Sequence, residues 1–244
     1  MPLYLNADQI DSGQLSNSTP DAITEENIVF VEGPDDDHFI RAVLKNIGVD
    51  KGVQIIRTGG ITQFPSKFQA KTKESNFKAV RCIAVIIDAD NSKEEAFRMV
   101  KKTLIHNGFS APNQHGTPVK CDKRNVQVGV FVISKPGENS GMLEDLFIET
   151  QKDTPISAHV GKYISGLAES LEKHRPEKGI PRPTPKDFRY PNNESKARAR
   201  AILSGFYDDI STVGYAAQHG YIDMNNSSLD EIKTFLQNIF NLQK

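Results

Sequence analysis

An acidic segment directly after a short apolar run constrains the fold of this chain more than any other feature. The run Asn27–Val31 is β-branched and aromatic, which is typical of a buried strand. A Gly-Pro pair at 33–34 ends the run, and Asp35–Asp37 supply an N-cap and an acidic first turn for a helix with one apolar face. Glu32 therefore lies at the carboxyl end of a strand, where open α/β sheets place their functional sites.

A second apolar run also ends in carboxylates. Val80–Ile87 predicts a long buried strand, and Asp88 and Asp90 follow it with only an alanine between them. Because side chains alternate along a strand, we expect both aspartates to point to the same side. Together with Glu32 they would place three carboxylates within a few ångströms, and such a group repels itself unless a cation or a proton intervenes. Hard oxygen ligands of this kind suit Mg²⁺ or Mn²⁺. The alternative is that these acidic residues only cap the helices that follow.

The remaining strand and helix pattern predicts an α/β fold. Strands are expected at 53–57 and 126–133 in addition to the two above, and amphipathic helices separate them. Alternating strands and helices are typical of a mainly parallel sheet, here four-stranded and flanked by helices. Residues 110–125 carry no periodicity and are interpreted as a long loop or a small hairpin.

The sequence divides into three regions. Residues 1–24 are polar and predict a flexible N-terminal arm. Residues 25–150 form the α/β core, and 151–244 form a helical extension packed on it. Within the extension, a Pro-rich strap at 174–191 contains no credible helix or strand.

Composition limits the classes of function. The 30 basic and 31 acidic residues nearly cancel, so any nucleic-acid binding must come from a local patch. The two cysteines do not make a disulfide framework, and the first residues contain no apolar core of a signal peptide, so we expect a cytoplasmic protein. No run is long enough to cross a bilayer, so no membrane partner is expected. Neither zinc-ligand spacing nor a Walker loop is present.

The acidic motifs resemble a known domain. Glu-Gly-Pro-Asp-Asp at 32–36 and Asp-Ala-Asp at 88–90 resemble the TOPRIM pattern of topoisomerases, primases, 5S rRNA maturases and overcoming-lysogenization-defect nucleases. More narrowly, residues 128–133 leading to 141–146, with the Lys196 region and the segment Gly-Tyr-Ala-Ala-Gln-His-Gly, are similar to a stand-alone, uncharacterised bacterial TOPRIM-like family. The resemblance covers most of residues 25–240.

The resemblance implies roles for individual residues. Glu32 would do proton-transfer work or share the metal, and Asp88 and Asp90 would hold Mg²⁺ or Mn²⁺. Lys196 would supply the cation that steadies the transition state from outside the core, with a solvated helix face as the alternative. We further expect the Pro-rich strap to carry Lys196 back towards Asp88.

Three other acidic residues are candidates for a supporting role around the metal. Asp36 completes the Glu-Gly-x-x-Asp pattern, although capping the helix against its dipole is the competing interpretation. Glu144 and Asp145 follow the fourth strand and could reach the same sheet edge, or could form an exposed first helical turn.

The sequence therefore predicts a Mg²⁺-dependent phosphoryl-transfer enzyme, a nuclease or phosphodiesterase acting on nucleic acid or a nucleotide. Topoisomerase activity is not expected, since 244 residues leave no room for a separate strand-passage domain. The alternative is a binding module that holds a metal or a nucleotide without turnover and acts with a partner protein.

Overall fold

The computed structural model describes residues 22–49, 51–173, 193–206 and 209–240, with the backbone alone for 168 and 170–173. The strands are β1 (Asn27–Val31), β2 (Val53–Arg57), β3 (Cys82–Asp88), β4 (Val119–Cys121) and β5 (Val126–Ile133). The helices are α1 (Pro34–Asn46), α2 (Phe64–Thr72), α3 (Lys93–His106), α4 (Leu143–Thr150), α5 (Pro155–Lys173), α6 (Glu194–Leu203), α7 (Val213–Gln218) and α8 (Asp230–Ile239).

The strands form one mixed sheet in the order β2-β1-β3-β5-β4. The pairs β1–β2, β1–β3 and β3–β5 are parallel, which confirms the predicted four-stranded parallel sheet. The fifth strand, β4, pairs antiparallel with β5 and comes from the segment interpreted as a loop or a small hairpin. The arrangement is consistent with a TOPRIM-like fold.

The direction in which the chain adds strands to the sheet reverses next to β1. From β1 the chain passes through α1 to β2 on one side, and then through α2 to β3 on the other side. Because these two connections leave in opposite directions, the carboxyl ends of β1 and β3 form the topological switch point of the sheet, the crevice at which such sheets bind ligands. Glu32 and Asp88 lie at these two strand ends.

Alternating side chains give the sheet two apolar faces, as expected for strands buried on both sides. Val29 and Val31 face a core shared with α1 and with the helices from α4 to α8. Ile28 and Phe30 face a second core shared with α2 and α3. The helices of the C-terminal extension therefore pack on the same side of the sheet as α1.

The chain before β1 is attached to the sheet from residue 22 onwards. Ile23 is buried, and the backbone N–H of Thr24 donates to Gln54 Oε1 at 2.9 Å. The end of the predicted arm, at residues 22–24, is therefore attached to the sheet. Residues 1–21 and the predicted strap at 174–191 lie outside the described residues. In the part of the chain that is described, no helix has the length and apolarity to cross a membrane.

Candidate active site

Glu32 connects the ends of three strands at the crevice. Its Oε1 accepts a hydrogen bond from the backbone N–H of Asp88 at 3.0 Å, and its Oε2 accepts one from Ile61 at 3.1 Å. The backbone carbonyl of Glu32 accepts from Gly59 and Gly60 in the turn after β2. Both glycines have positive φ, a backbone conformation that glycine adopts without steric cost.

The surroundings of Glu32 favour proton transfer. Burial raises the pKa of its carboxyl group above the usual value, and the negative charge of Asp90 raises it further. The backbone hydrogen bonds from Asp88 and Ile61 and the positive charge of Lys196 act in the opposite direction without cancelling the rise. A carboxyl group with a raised pKa and a fixed orientation can serve as a general acid or base.

Asp88, the last residue of β3, is surrounded by other carboxylates. Its Oδ1 accepts a hydrogen bond from the backbone N–H of Leu143 at the start of α4, at 3.0 Å. Burial raises the pKa of Asp88 well above its usual value, and the nearby charges of four other carboxylates add to the rise. We call Asp88 and these four residues the acidic cluster. Its members are Glu32, Asp36, Asp88, Asp90 and Glu144.

Asp90 adopts a left-handed backbone conformation with φ of 47°. Its backbone exchanges two hydrogen bonds with Gly141, at 2.9 and 3.0 Å. β3 ends at Asp88, so the alternation of a strand does not continue to Asp90. The prediction that both aspartates point the same way assumed that the strand continues to Asp90, whereas β3 ends two residues before it. Gly141 has φ of 134°, and a Cβ there would collide with the backbone of Lys135.

Asp36 combines the two roles that the sequence left open. Its Oδ2 accepts a hydrogen bond from the backbone N–H of Gly33 at 2.9 Å, which caps α1. Burial, together with repulsion from Glu32 and Asp35, raises the pKa of Asp36 to about 6, against the lowering effect of the Gly33 bond. The same side chain therefore caps the helix and adds to the acidic cluster.

Glu144 and Asp145 lie side by side in the first turn of α4 but have different partners. Glu144 is 15% exposed, and its Oε1 lies 3.1 Å from Lys196 Nζ. Asp145 is buried; its Oδ2 accepts from the backbone N–H of Met142 at 3.0 Å and its Oδ1 accepts from Ser195 Oγ at 2.6 Å. Neither residue is in an exposed helical turn. Glu144 belongs to the acidic cluster, whereas Asp145 caps α4 and attaches α6 to it.

Lys196 lies beside the acidic cluster, on the first turn of α6. Burial alone would lower its pKa, but attraction and hydrogen bonding to Glu144 and attraction to Asp88 outweigh this and raise it. Lys196 is therefore positively charged and half exposed. Its catalytic role stays a prediction.

Ser195 is the residue that sequence reasoning missed. It attaches the first turn of α6 to Asp145, while Asn193 Oδ1 caps the same turn by accepting from the Lys196 N–H at 2.9 Å. A cap residue at 193 is visible in the sequence, but nothing there relates Ser195 to a partner 50 residues earlier.

The acidic cluster does not form a complete set of metal ligands. Among the residues that the structure describes, no three Asp, Glu, His or Cys side chains are grouped as metal ligands. The role of Glu32, Asp88 and Asp90 as a metal site therefore stays a prediction. The chemistry of the cluster still fits Mg²⁺ or Mn²⁺, because Mg²⁺ usually takes only one or two protein carboxylates and keeps several waters. A cation would also relieve the repulsion that raises the pKa of Asp88.

A family model described as "Protein of unknown function (DUF3226)" matches residues 26–241. The chain belongs to this family. A search of curated proteins gave no match.

Two solved structures are similar to this DUF3226 protein. The crystal structure of hypothetical protein PH0156 from Pyrococcus horikoshii OT3 shares 13% identity with a TM-score of 0.50, covering 90% of this chain and 97% of that one. The C-terminal region of the OLD protein from Xanthomonas campestris pv. campestris shares 11% identity with a TM-score of 0.42, covering 89% and 95%. At 13% identity, the Pyrococcus structure supports the fold alone.

Proposed function

We propose that this DUF3226 protein is a Mg²⁺-dependent phosphoryl-transfer enzyme, a nuclease or a phosphodiesterase, whose active site is the acidic cluster. The observation that carries the proposal is the placement of Glu32 and Asp88 at the β1–β3 crevice, with raised pKa values and a charged Lys196 next to them. A purely structural set of helix caps does not need carboxylates that repel one another in a partly buried crevice.

The proposed roles follow from the position of each group. Asp88 and Asp90 hold the cation, and Glu32 shares in holding it or in moving a proton. The bound ion supplies Lewis acidity towards a phosphoryl oxygen and lowers the pKa of a water molecule. Backbone N–H groups engage both oxygens of Glu32, which fixes the direction in which the carboxylate can accept a proton.

Lys196 supplies positive charge where negative charge develops during phosphoryl transfer. Its Nζ is oriented by Glu144 and is exposed enough to meet a substrate. The hydrogen bond between Ser195 and Asp145 keeps the first turn of α6 in this place. A preorganised cation of this kind stabilises a transition state more than it stabilises the ground state.

Thermal unfolding with Mn²⁺ tests the metal site. If the affinity is about 10–100 µM, millimolar Mn²⁺ should stabilise the fold by roughly 1–3 kcal/mol by mass action. Asp88→Asn combined with Asp90→Asn should abolish the rise in melting temperature. The matched control is Glu94→Gln with Glu95→Gln, which neutralises two acidic residues in the first turn of α3. An identical response of the wild type and the aspartate double variant would exclude this site.

A cleavage assay then separates the two candidate functions. The wild type should cleave a labelled DNA or RNA strand in the presence of Mg²⁺ or Mn²⁺, and Glu32→Gln should abolish cleavage. Metal binding at Asp88 and Asp90 without cleavage of nucleic acids or phosphodiesters would instead support the alternative, a binding module that acts with a partner protein.

A further inference from the structure

A positively charged group lies on the same edge of the sheet, on the side of β2. Asp37 on α1 is 1% exposed and binds two arginines. Its Oδ1 lies 2.6 Å from Arg41 Nε, and its Oδ2 lies 2.7 Å from Arg57 Nε. Because one arginine suffices to neutralise Asp37, the three side chains together carry a net positive charge. We call Arg41 and Arg57 the arginine pair.

The arginine pair is accessible. Arg57 donates a hydrogen bond from Nε to Asp37 Oδ2, whereas Arg41 forms an ion pair with Oδ1 that lacks hydrogen-bond geometry. The N–H donors of the Nη atoms are left for another partner. Within the described ranges, neither arginine forms a second ion pair. The side chains of Arg41 and Arg57 are 52% and 35% exposed. The Arg57 guanidinium, held by this hydrogen bond, presents N–H groups that match the oxygens of a phosphate.

The arginine pair is part of the same edge as the acidic cluster. Arg57 is the last residue of β2 and lies opposite Val31, the residue before Glu32. The chain after Arg57 continues directly over Glu32, since Gly59 donates to the Glu32 carbonyl at 2.9 Å. Neighbouring strands are about 4.8 Å apart. Asp88 lies one strand beyond Glu32, so the backbones of Arg57 and Asp88 are roughly 10 Å apart.

The acidic cluster is thus flanked by positive charge on two sides. Lys196 lies on the side of α4, where it pairs with Glu144, and the arginine pair lies on the side of β2. With a formal net charge of −1, the chain has no overall attraction for a polyanion, so a nucleic acid needs local cations. A single small phosphodiester at the acidic cluster would not reach the arginine pair, whereas a strand of several nucleotides would.

We propose that the arginine pair binds a neighbouring backbone phosphate of the nucleic-acid strand whose reacting phosphate lies at the acidic cluster. This inference rests on the proposed function and makes its substrate a polymer and not a mononucleotide. The phosphate contact carries no base specificity, so it serves to position the strand across the crevice.

Fluorescence anisotropy with short labelled single-stranded DNA and RNA, in EDTA, measures this contact without turnover. The variants are Arg41→Gln and Arg57→Gln, made separately so that Asp37 keeps one arginine in each. Each should weaken binding, and each should flatten the slope of log affinity against log salt by about 0.7, the value for one phosphate contact on a single strand. Arg98→Gln is the control, since Arg98 is 78% exposed on α3, across the sheet.

Melting curves show whether each variant is folded. If Arg57→Gln loses its cooperative transition, Arg57→Lys replaces it; this variant keeps the charge but not the guanidinium fork, so it should weaken binding while the salt slope stays near that of the wild type. Folded Arg41 and Arg57 variants that bind like the wild type overturn the proposal. So does a wild type that binds neither DNA nor RNA.

The outcomes distinguish this proposal from the proposed function. Binding that depends on the arginine pair, without a response to Mn²⁺ and without cleavage, would leave the phosphate contact standing and refute the enzyme. Cleavage that depends on Glu32, with both arginine variants binding as tightly as the wild type, would support the enzyme and refute the phosphate contact. The nucleic acid that binds more tightly, DNA or RNA, is identified as the substrate.

Discussion

Replacing Asp36 with asparagine should stabilise this protein at neutral pH. The pKa of Asp36 is raised from 3.8 to about 6 by burial and by repulsion from Glu32 and Asp35. Because the folded state binds the proton more tightly, the stability that this proton contributes is fully present below about pH 4 and is lost as the pH rises through about 6. A shift of about 2 pKa units corresponds to roughly 3 kcal/mol at pH 7.

The variant Asp36→Asn has no carboxyl group to lose a proton, so it avoids this loss of stability. It keeps a side-chain oxygen that can accept a hydrogen bond from the Gly33 N–H. Urea unfolding between about pH 4 and pH 7 should therefore give equal free energies for variant and wild type at the acid end. At pH 7 the variant should be more stable by up to about 3 kcal/mol. Glu94→Gln is the control, since it removes an acidic side chain from the exposed first turn of another helix, α3. A variant less stable than the wild type at pH 7, with the same pH dependence, would refute the reasoning.

Two further predictions concern the C-terminal helices. Lys196→Ala should lower turnover by about two to three orders of magnitude and leave the Mn²⁺ response unchanged, because it removes one electrostatic stabiliser. Arg200→Ala, an exposed cation on the same helix, is its control; an equal loss in both would indicate a general effect of surface charge. Gly214→Ala should destabilise the fold by about 1–3 kcal/mol in urea unfolding, because the added Cβ would collide with the backbone of Asp35. Gly166→Ala, which has open space in α5, should instead stabilise by up to about 1 kcal/mol. A tolerated Gly214→Ala would show that α7 can move away from α1.

The local patterns of the sequence determined the core of the fold. The β-branched run at β1, the Gly-Pro stop and the apolar spacing of α1 are properties of neighbouring residues, and they predict a strand followed by a helix. Repetition of this unit implies a parallel sheet, which in turn places the residues after β1 and β3 at one edge. Glu32 and Asp88 could therefore be predicted as neighbours although 56 residues separate them.

The same reasoning failed where the chain leaves regular structure. The alternation of β3 does not continue to Asp90, since the left-handed turn that pairs with Gly141 comes first. The hairpin partner β4 is only three residues long, too short for a periodic signal. In both places the conformation is set by pairing with a distant segment and not by the spacing of apolar residues.

The tertiary structure alone decided which charges meet. The ion pair of Lys196 with Glu144 and the hydrogen bond of Ser195 with Asp145 depend on how α6 packs on α4. Arg57 reaches Asp37 because β2 lies beside β1, under α1. Periodicity specifies the face on which a side chain lies, but the partner that it meets depends on the packing of whole elements. The sequence by itself therefore determined where carboxylates would gather, and the packing determined which cations lie beside them.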